Sequence, residues 1–171
     1  MPVTRLNHAV LYVRDVERSV AFYEATLGFR KVMGFTGAAF LQASGSNNDH
    51  DLGLFQIGAQ AGPSGAGRTT VGLYHLAGEV DTLDELAQTR QRLIDADALV
   101  GATDHGTTKA LYAHDPDGIE FEVSWLVPAD LLTEEILQAR ETMKALDLEA
   151  AKEEFGAQTP GGIGISMPAG H

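Results

Sequence analysis

The chain has 171 residues, 44% of them hydrophobic, and a formal net charge of −12. That length allows one domain or two small halves sharing a core, and the charge argues against a nucleic-acid partner, which needs clustered Lys and Arg. The sequence holds no cysteine, so disulfides and thiolate chemistry are excluded and any metal site must draw on His, Asp and Glu. No apolar run fits a signal peptide or a bilayer span, which makes a cytoplasmic protein the default expectation.

In chain order, "LNHAVLYV" (6–13) reads as a strand. In the segment that follows, Val16, Val20, Tyr23 and Leu27 recur at helical spacing, with Asp15 placed to cap the start and Gly28 to end it. "FRKVMGF", "AAFLQAS" and "HDLGLFQIG" are three short strands punctuated by Gly, Ser and Asn. "AQAGPSGAGRTT" (59–70) is a flexible linker. The order then restarts. "VGLYHLAGEV" is a strand, and a helix follows with Leu83, Leu86, Arg90 and Leu93 on one side and capping-box spacing between Thr82 and Glu85. "ALVGATD", "KALYAHD" and "IEFEVSWLV" close the second half as three strands.

Both halves therefore read strand, helix, strand, strand, strand, and superposing them puts His8 opposite His75. Residues 1–127 are expected to form one α+β domain of two paired βαβββ modules, about 5–58 and 71–127. A single amphipathic helix is expected over 128–155, with Leu132, Ile136, Met143 and Leu146 on its apolar side. It would pack across a homo-oligomer interface or over its own barrel. The Gly/Pro-rich residues 156–171 are expected to form a flexible tail.

The stretch "TDHGTTKALYAHDPDGIEFEV" (103–123) concentrates two His, a Tyr, three Asp and two Glu around one turn. It reads either as a decorated hairpin or as one wall of an active site. His8, His75 and Glu122 each fall in an expected strand, and two His and a carboxylate make a facial triad that suits Fe(II) with open positions. A single His in an apolar strand is more often a buried, hydrogen-bonded residue than a ligand, so the case rests on the set. Asp115 and Asp117 read as turn-setting residues, and His114 and His171 as surface residues. Tyr112 reads as a cross-strand aromatic or a site residue, and His105 as a loop residue or a pocket one.

This plan resembles the vicinal oxygen chelate superfamily, which includes glyoxalases, fosfomycin-resistance proteins and extradiol ring-cleavage dioxygenases. The resemblance covers roughly Leu6 to Trp125 and implies a half-barrel cup around a metal. Within it, His105, Leu111-Tyr112, Asp115-Pro116, Gly118 and Glu122 fill the places of the extradiol (catechol 2,3-dioxygenase-like) signature. "NNDHDLGLF" is similar to the segment carrying the acid-base His of those enzymes, here His50. The sequence departs from the pattern in the 25-residue separation of His50 and His75, with the Gly-rich linker between them. The resemblance implies His8, His75 and Glu122 as ligands to Fe(II), a set that also accepts Mn(II). It makes His50 the acid-base residue and Tyr112 a hydrogen-bond donor to a substrate oxygen, with His105 lining the pocket as substrate-binding residue. Asp49 and Asp51 flank His50, as charges that raise its pKa or as solvated residues. The implied reaction is cleavage of a catecholic ring by O2 to a semialdehyde. The competing readings are a metal-dependent isomerase or thiol transferase of the glyoxalase or fosfomycin-resistance type, and a metal-free binding protein of the bleomycin-resistance type.

Overall fold

The computed structural model describes residues 2–3 and 5–162; His171 and most of the expected tail lie outside the described residues. The described chain divides into two compact units. One holds the residues up to Gly65 together with Asp115–Ile119, and the other holds Ala66–His114 and the residues from Glu120 on.

The first unit contains β1 (Ala9–Val13), α1 (Val16–Leu27), β2 (Arg30–Phe35), β3 (Ala38–Gln42) and β4 (Leu52–Gln56). Its sheet has the order β1-β4-β3-β2, with β1 and β4 parallel and the other pairs antiparallel. Strand alternation sends Leu11, Val13, Leu41, Leu52 and Leu54 to one face, where they are buried with Val16, Val20 and Tyr23 of α1. The helix ends as its sequence dictates. Asp15 accepts from Arg18 N, and Gly28 takes the left-handed conformation (φ 68°) that a side chain would resist.

The second unit repeats the order with β5 (Leu76–Glu79), α2 (Leu83–Asp95), β6 (Leu99–Asp104), β7 (Thr108–His114) and β8 (Glu120–Leu126). Its sheet runs β5-β8-β7-β6, extended at the β6 edge by β9 (Lys144–Ala145). Thr82 caps α2 by accepting from Glu85 N, as its spacing predicted. The buried stripe of α2 is Leu83, Leu86, Thr89 and Leu93, while Arg90 is exposed. The correction has a simple cause: Thr89 lies within one turn of both Leu86 and Leu93, and a buried guanidinium would need a charged partner there. Strand starts also move inward, so that His8 and His75 each sit one residue before the first strand of their unit.

The single helix expected over 128–155 is not formed. Two single 3-10 turns, α3 (Glu134–Gln138), β9 and α4 (Leu148–Phe155) occupy that span. Thr133 and Asp147 each cap a new helix, which divides the apolar periodicity into separate pieces. Met143 is 79% exposed, so the expected continuous stripe does not exist. α4 packs on α2 and buries Ala151 and Phe155 over its own sheet, with the Phe155 ring 5.5 Å from that of Trp125. Beyond it, the Trp125 indole N–H donates to Thr159 O and Gly161 N donates to Asp81 O, so residues up to 162 are tied to the unit.

Among the described residues no helix is long and apolar enough to cross a membrane.

Candidate metal and catalytic site

In the second unit the 103–123 stretch folds as the hairpin β7–β8, and Tyr112 and Glu122 are direct cross-strand partners. Glu122 is also the register partner of Ala77 on β5. Parallel pairing of β5 with β8 therefore delivers His75, two residues before Ala77, to the same sheet face. His75 Nε2 stands 3.2 Å from Glu122 Oε2. For metal–ligand bonds of ~2.1 Å meeting at a right angle, the two donor atoms would stand roughly 3.0 Å apart, so the pair fits as two cis ligands of one ion. His75 Nδ1, on the other side of the ring, is shielded from solvent and has no hydrogen-bond partner.

The Tyr112 hydroxyl lies 2.9 Å from His105 Nε2. Burial pushes the phenol well above its ordinary range, and the charge of the Glu122 carboxylate and a hydrogen bond to it push further in the same direction. Tyr112 is therefore a protonated donor at any working pH. The Tyr112 hydroxyl thus lies between a carboxylate, which can only accept, and the His105 ring nitrogen. His105 is itself held by a tight turn: its N–H donates to Thr108 O, and Asp104 Oδ1 accepts from Gly106 N. Lys109, almost fully buried, completes the turn with its ammonium 2.6 Å from Asp104 Oδ1 and 3.0 Å from Gly106 O, beneath the Phe155 ring. Gly106 has φ 76°, and a Cβ there would sit 2.8 Å from Ile136 O, so only glycine admits the C-terminal segment against this turn.

In the first unit His8 and His50 are neighbours, their ring centroids 4.6 Å apart. Asn48 joins the two segments, donating to Asn7 O and to Asp51 Oδ1. Asp51 is the anchor of this loop. Burial works against its charge, but hydrogen bonds from Ala43 N, Ser46 Oγ and Asn48, with the nearby His50, outweigh that and hold the carboxyl below its usual range. Asp49 pairs with His50 Nδ1 at 2.9 Å and is otherwise open to solvent. The sheet face beside His50 is aromatic: Phe40 meets it edge-on at 5.0 Å, and Phe40, Phe55 and Phe35 pack mutually at 5.8–6.4 Å.

The Asp115–Gly118 turn has a wider role than setting a reversal. Asp115 is buried and accepts from Tyr23 O–H, Asp117 N and Ile119 N. Asp117 is paired with Arg14 and Arg18.

Residues 5–123 match the Glyoxalase/Bleomycin resistance protein/Dioxygenase superfamily. The chain belongs to this superfamily. It is 30% identical, over 98% of its length, to the catechol-2,3-dioxygenase of Bacillus subtilis (strain 168), and it spans 58% of that longer relative. A glyoxylase/bleomycin resistance protein/dioxygenase domain from Frankia sp. EAN1pec superposes with a TM-score of 0.62 at 22% identity, covering 75% of this chain and 96% of that one. A variant of the fosfomycin resistance protein FosX of Listeria monocytogenes, complexed with Mn(II), superposes with a TM-score of 0.53 at 14% identity, covering 71% and 92%. These two likenesses show the fold.

Within this superfamily member, the structure brings His75, Glu122, Tyr112 and His105 together in the second unit, and His8 with His50 in the first. Among the described residues no group of three or more His, Asp or Glu side chains stands ready to hold a metal. His75 and Glu122 form a two-ligand fragment within one unit. His114 is exposed, as expected of it, but its Nε2 lies 3.6 Å from Glu120 Oε2. Sequence reasoning missed Glu120, Asn48, Lys109 and the three phenylalanines. Glu120 carried a signal, since it precedes Glu122 by two residues and must share its sheet face. Asn48 and Lys109 also had local signals, lying three and five residues from their partners Asp51 and Asp104, whereas the phenylalanine face carried none, because Phe55 reaches Phe35 and Phe40 only through strand pairing.

Proposed function

We propose that this protein is a non-haem Fe(II)-dependent extradiol dioxygenase acting on a catecholic ring, with His8, His75 and Glu122 as ligands. The observation that carries the reading is the His105–Tyr112–Glu122–His75 chain of contacts. An isomerase or thiol transferase needs a metal-ligating Glu and His but has no evident use for a protonated tyrosine pinned by a second histidine beside them. The 30% identity to a catechol-2,3-dioxygenase supports the same choice, and the Mn(II) held by the FosX variant supports a divalent metal in a fold of this kind.

A bound Fe(II) with three protein ligands would lower the pKa of a catechol hydroxyl and leave open positions for both catechol oxygens and O2. The chain's own residues do the rest. With Glu122 engaged as ligand, the Tyr112 hydroxyl donates to a substrate oxygen, and His105 holds it in place. His50 accepts the proton of the second hydroxyl and returns it to oxygen; an imidazole serves both directions near neutral pH. The Phe35–Phe40–Phe55 face beside it offers apolar, edge-to-face contacts suited to an aromatic ring. Overall, one ring carbon–carbon bond outside the diol breaks, and both atoms of O2 end in the semialdehyde product.

The test is anaerobic loading with Fe(II), then a panel of catechols with oxygen. Yellow ring-opened product with one O2 consumed per catechol supports the reading. Bound metal without oxygen uptake would favour the second reading, a metal-dependent isomerase or thiol transferase, which the FosX likeness keeps in view.

A further inference from the structure

We infer that Glu120 is the positioning residue of the metal centre, the carboxylate that fixes the ring orientation and tautomer of His75. The inference rests on His75 and Glu122 being ligands, as proposed above. His75 lies between two carboxylates of one strand. Its Nε2 faces Glu122 Oε2 at 3.2 Å, and its Nδ1 faces Glu120 Oε1 at 3.9 Å. Glu120 and Glu122 are two residues apart on β8, so they point from the same sheet face and bracket the imidazole from both nitrogens. Nδ1 is shielded from water and lacks a hydrogen-bond partner. A buried ring N–H without an acceptor costs free energy, and the Glu120 carboxylate is the ionised acceptor placed to satisfy it.

The chemistry follows from the two distances. A ligating imidazole must be neutral, with one nitrogen bare toward the ion and the other carrying the proton. A carboxylate on the far nitrogen selects that tautomer, fixes the ring plane and makes the near nitrogen more basic. Glu120 is restrained from its other side. His114 is its cross-strand partner, with Nε2 3.6 Å from Glu120 Oε2. The result is a file of His114, Glu120, His75 and Glu122 along one sheet face. A shift of the Glu120 carboxylate by about an ångström brings Oε1 to hydrogen-bond distance of Nδ1.

The experiment measures metal affinity and protonation directly, without turnover. Mn(II) binding is titrated by the EPR signal of the free ion for wild type, Glu120→Ala and Glu120→Gln. Removing such an orienting partner typically weakens metal binding ~10–100-fold, and that loss is expected for Glu120→Ala. Glu120→Gln retains an acceptor oxygen and is expected to recover most of the affinity. In ¹⁵N-histidine spectra of the Zn(II)-loaded wild type, His75 is expected to carry its proton on Nδ1. Unchanged Mn(II) affinity in Glu120→Ala would overturn the role of Glu120 while leaving the ligand set standing, whereas a proton on Nε2 of His75 would remove that nitrogen from the ligand set and overturn both readings. If Glu120→Ala failed to fold, the Nδ1–H proton resonance of the Zn(II)-loaded wild type would decide: a downfield position, as for a bond to a carboxylate, supports the role of Glu120, and the position of an unbonded N–H overturns it. Wild-type protein that bound neither Mn(II) nor Zn(II) would overturn the metal reading itself, and this inference with it.

Discussion

The two units follow one plan and fill it with opposite chemistry. In each, a histidine stands one residue before the first strand: His8 before β1 and His75 before β5. Two residues on, Val10 pairs with Gly53 and Ala77 pairs with Glu122. The next strand across presents Phe40 opposite Gly53, and Tyr112 opposite Glu122. Gly53 and Phe40 therefore hold in the first unit the places that Glu122 and Tyr112 hold in the second. The same register yields an aromatic wall with a paired imidazole in one unit, and a charged, hydrogen-bonded cluster in the other. What the comparison teaches is that backbone pairing provides the positions, and two side-chain choices decide what each position does.

The sharpest way to break this comparison is to give the second unit the first unit's residue. Glu122→Gly is expected to lose most bound iron and all ring cleavage, checked by metal analysis and oxygen uptake. Full retention of both would remove Glu122 from the ligand set. The next largest effect tests the first unit. His50→Phe extends its aromatic face and is expected to bind Fe(II) and catechol nearly normally, while cleavage slows ~10²–10⁴-fold, the usual contribution of general acid-base catalysis. Single-turnover rates after anaerobic loading measure this, and loss of iron would instead make His50 a ligand.

A third test addresses the α4 brace of the second unit. Phe155 is buried against Trp125 and over the Lys109 ammonium. Phe155→Ala is expected to destabilise the fold by ~3–5 kcal/mol, read by denaturant unfolding. It should also weaken the turn that holds His105. A change within about 0.5 kcal/mol, as for an ordinary surface site, would show that α4 contributes little.

The smallest effects separate two aspartates of the first unit by sign. Asp51 is held below its usual range because hydrogen bonds outweigh its burial, so it contributes stability above the unfolded value of ~3.9. That stability is lost as pH falls through the lower folded value. Asp115 is raised, chiefly by burial, although Tyr23 and two backbone N–H groups oppose the shift. A raised carboxyl costs stability above its folded value, and the cost is relieved as pH falls. Thermal melts as pH falls from neutral toward the unfolded carboxylate value of ~3.9 should therefore show wild type gaining on Asp115→Asn. Wild type should lose its advantage over Asp51→Asn only at still lower pH. Identical pH profiles for the two variants would contradict the opposed shifts.

Local signals carried much of the fold. Asp15, Gly28, Thr82 and the alternation in "LYV" and "FEV" are short-range devices, and each fixes backbone geometry within a few residues. The β7–β8 hairpin was legible for the same reason, because the Asp115–Gly118 turn sets the register that opposes Tyr112 to Glu122. The strand–helix–three-strand repeat followed from the order of these signals. The tertiary structure decided what depends on pairing between segments remote in sequence. Parallel pairing of β5 with β8 put His75 beside Glu122 across 47 residues, and no periodicity encodes such a pairing. The break-up of 128–155 likewise escaped a helical stripe, since caps at Thr133 and Asp147 and the edge pairing of β9 with β6 compete with one continuous helix and prevail. The orphaned Nδ1 of His75, and Glu120 beside it, exist only once two strands have met, because burial and hydrogen-bond satisfaction are properties of packing rather than of any single segment.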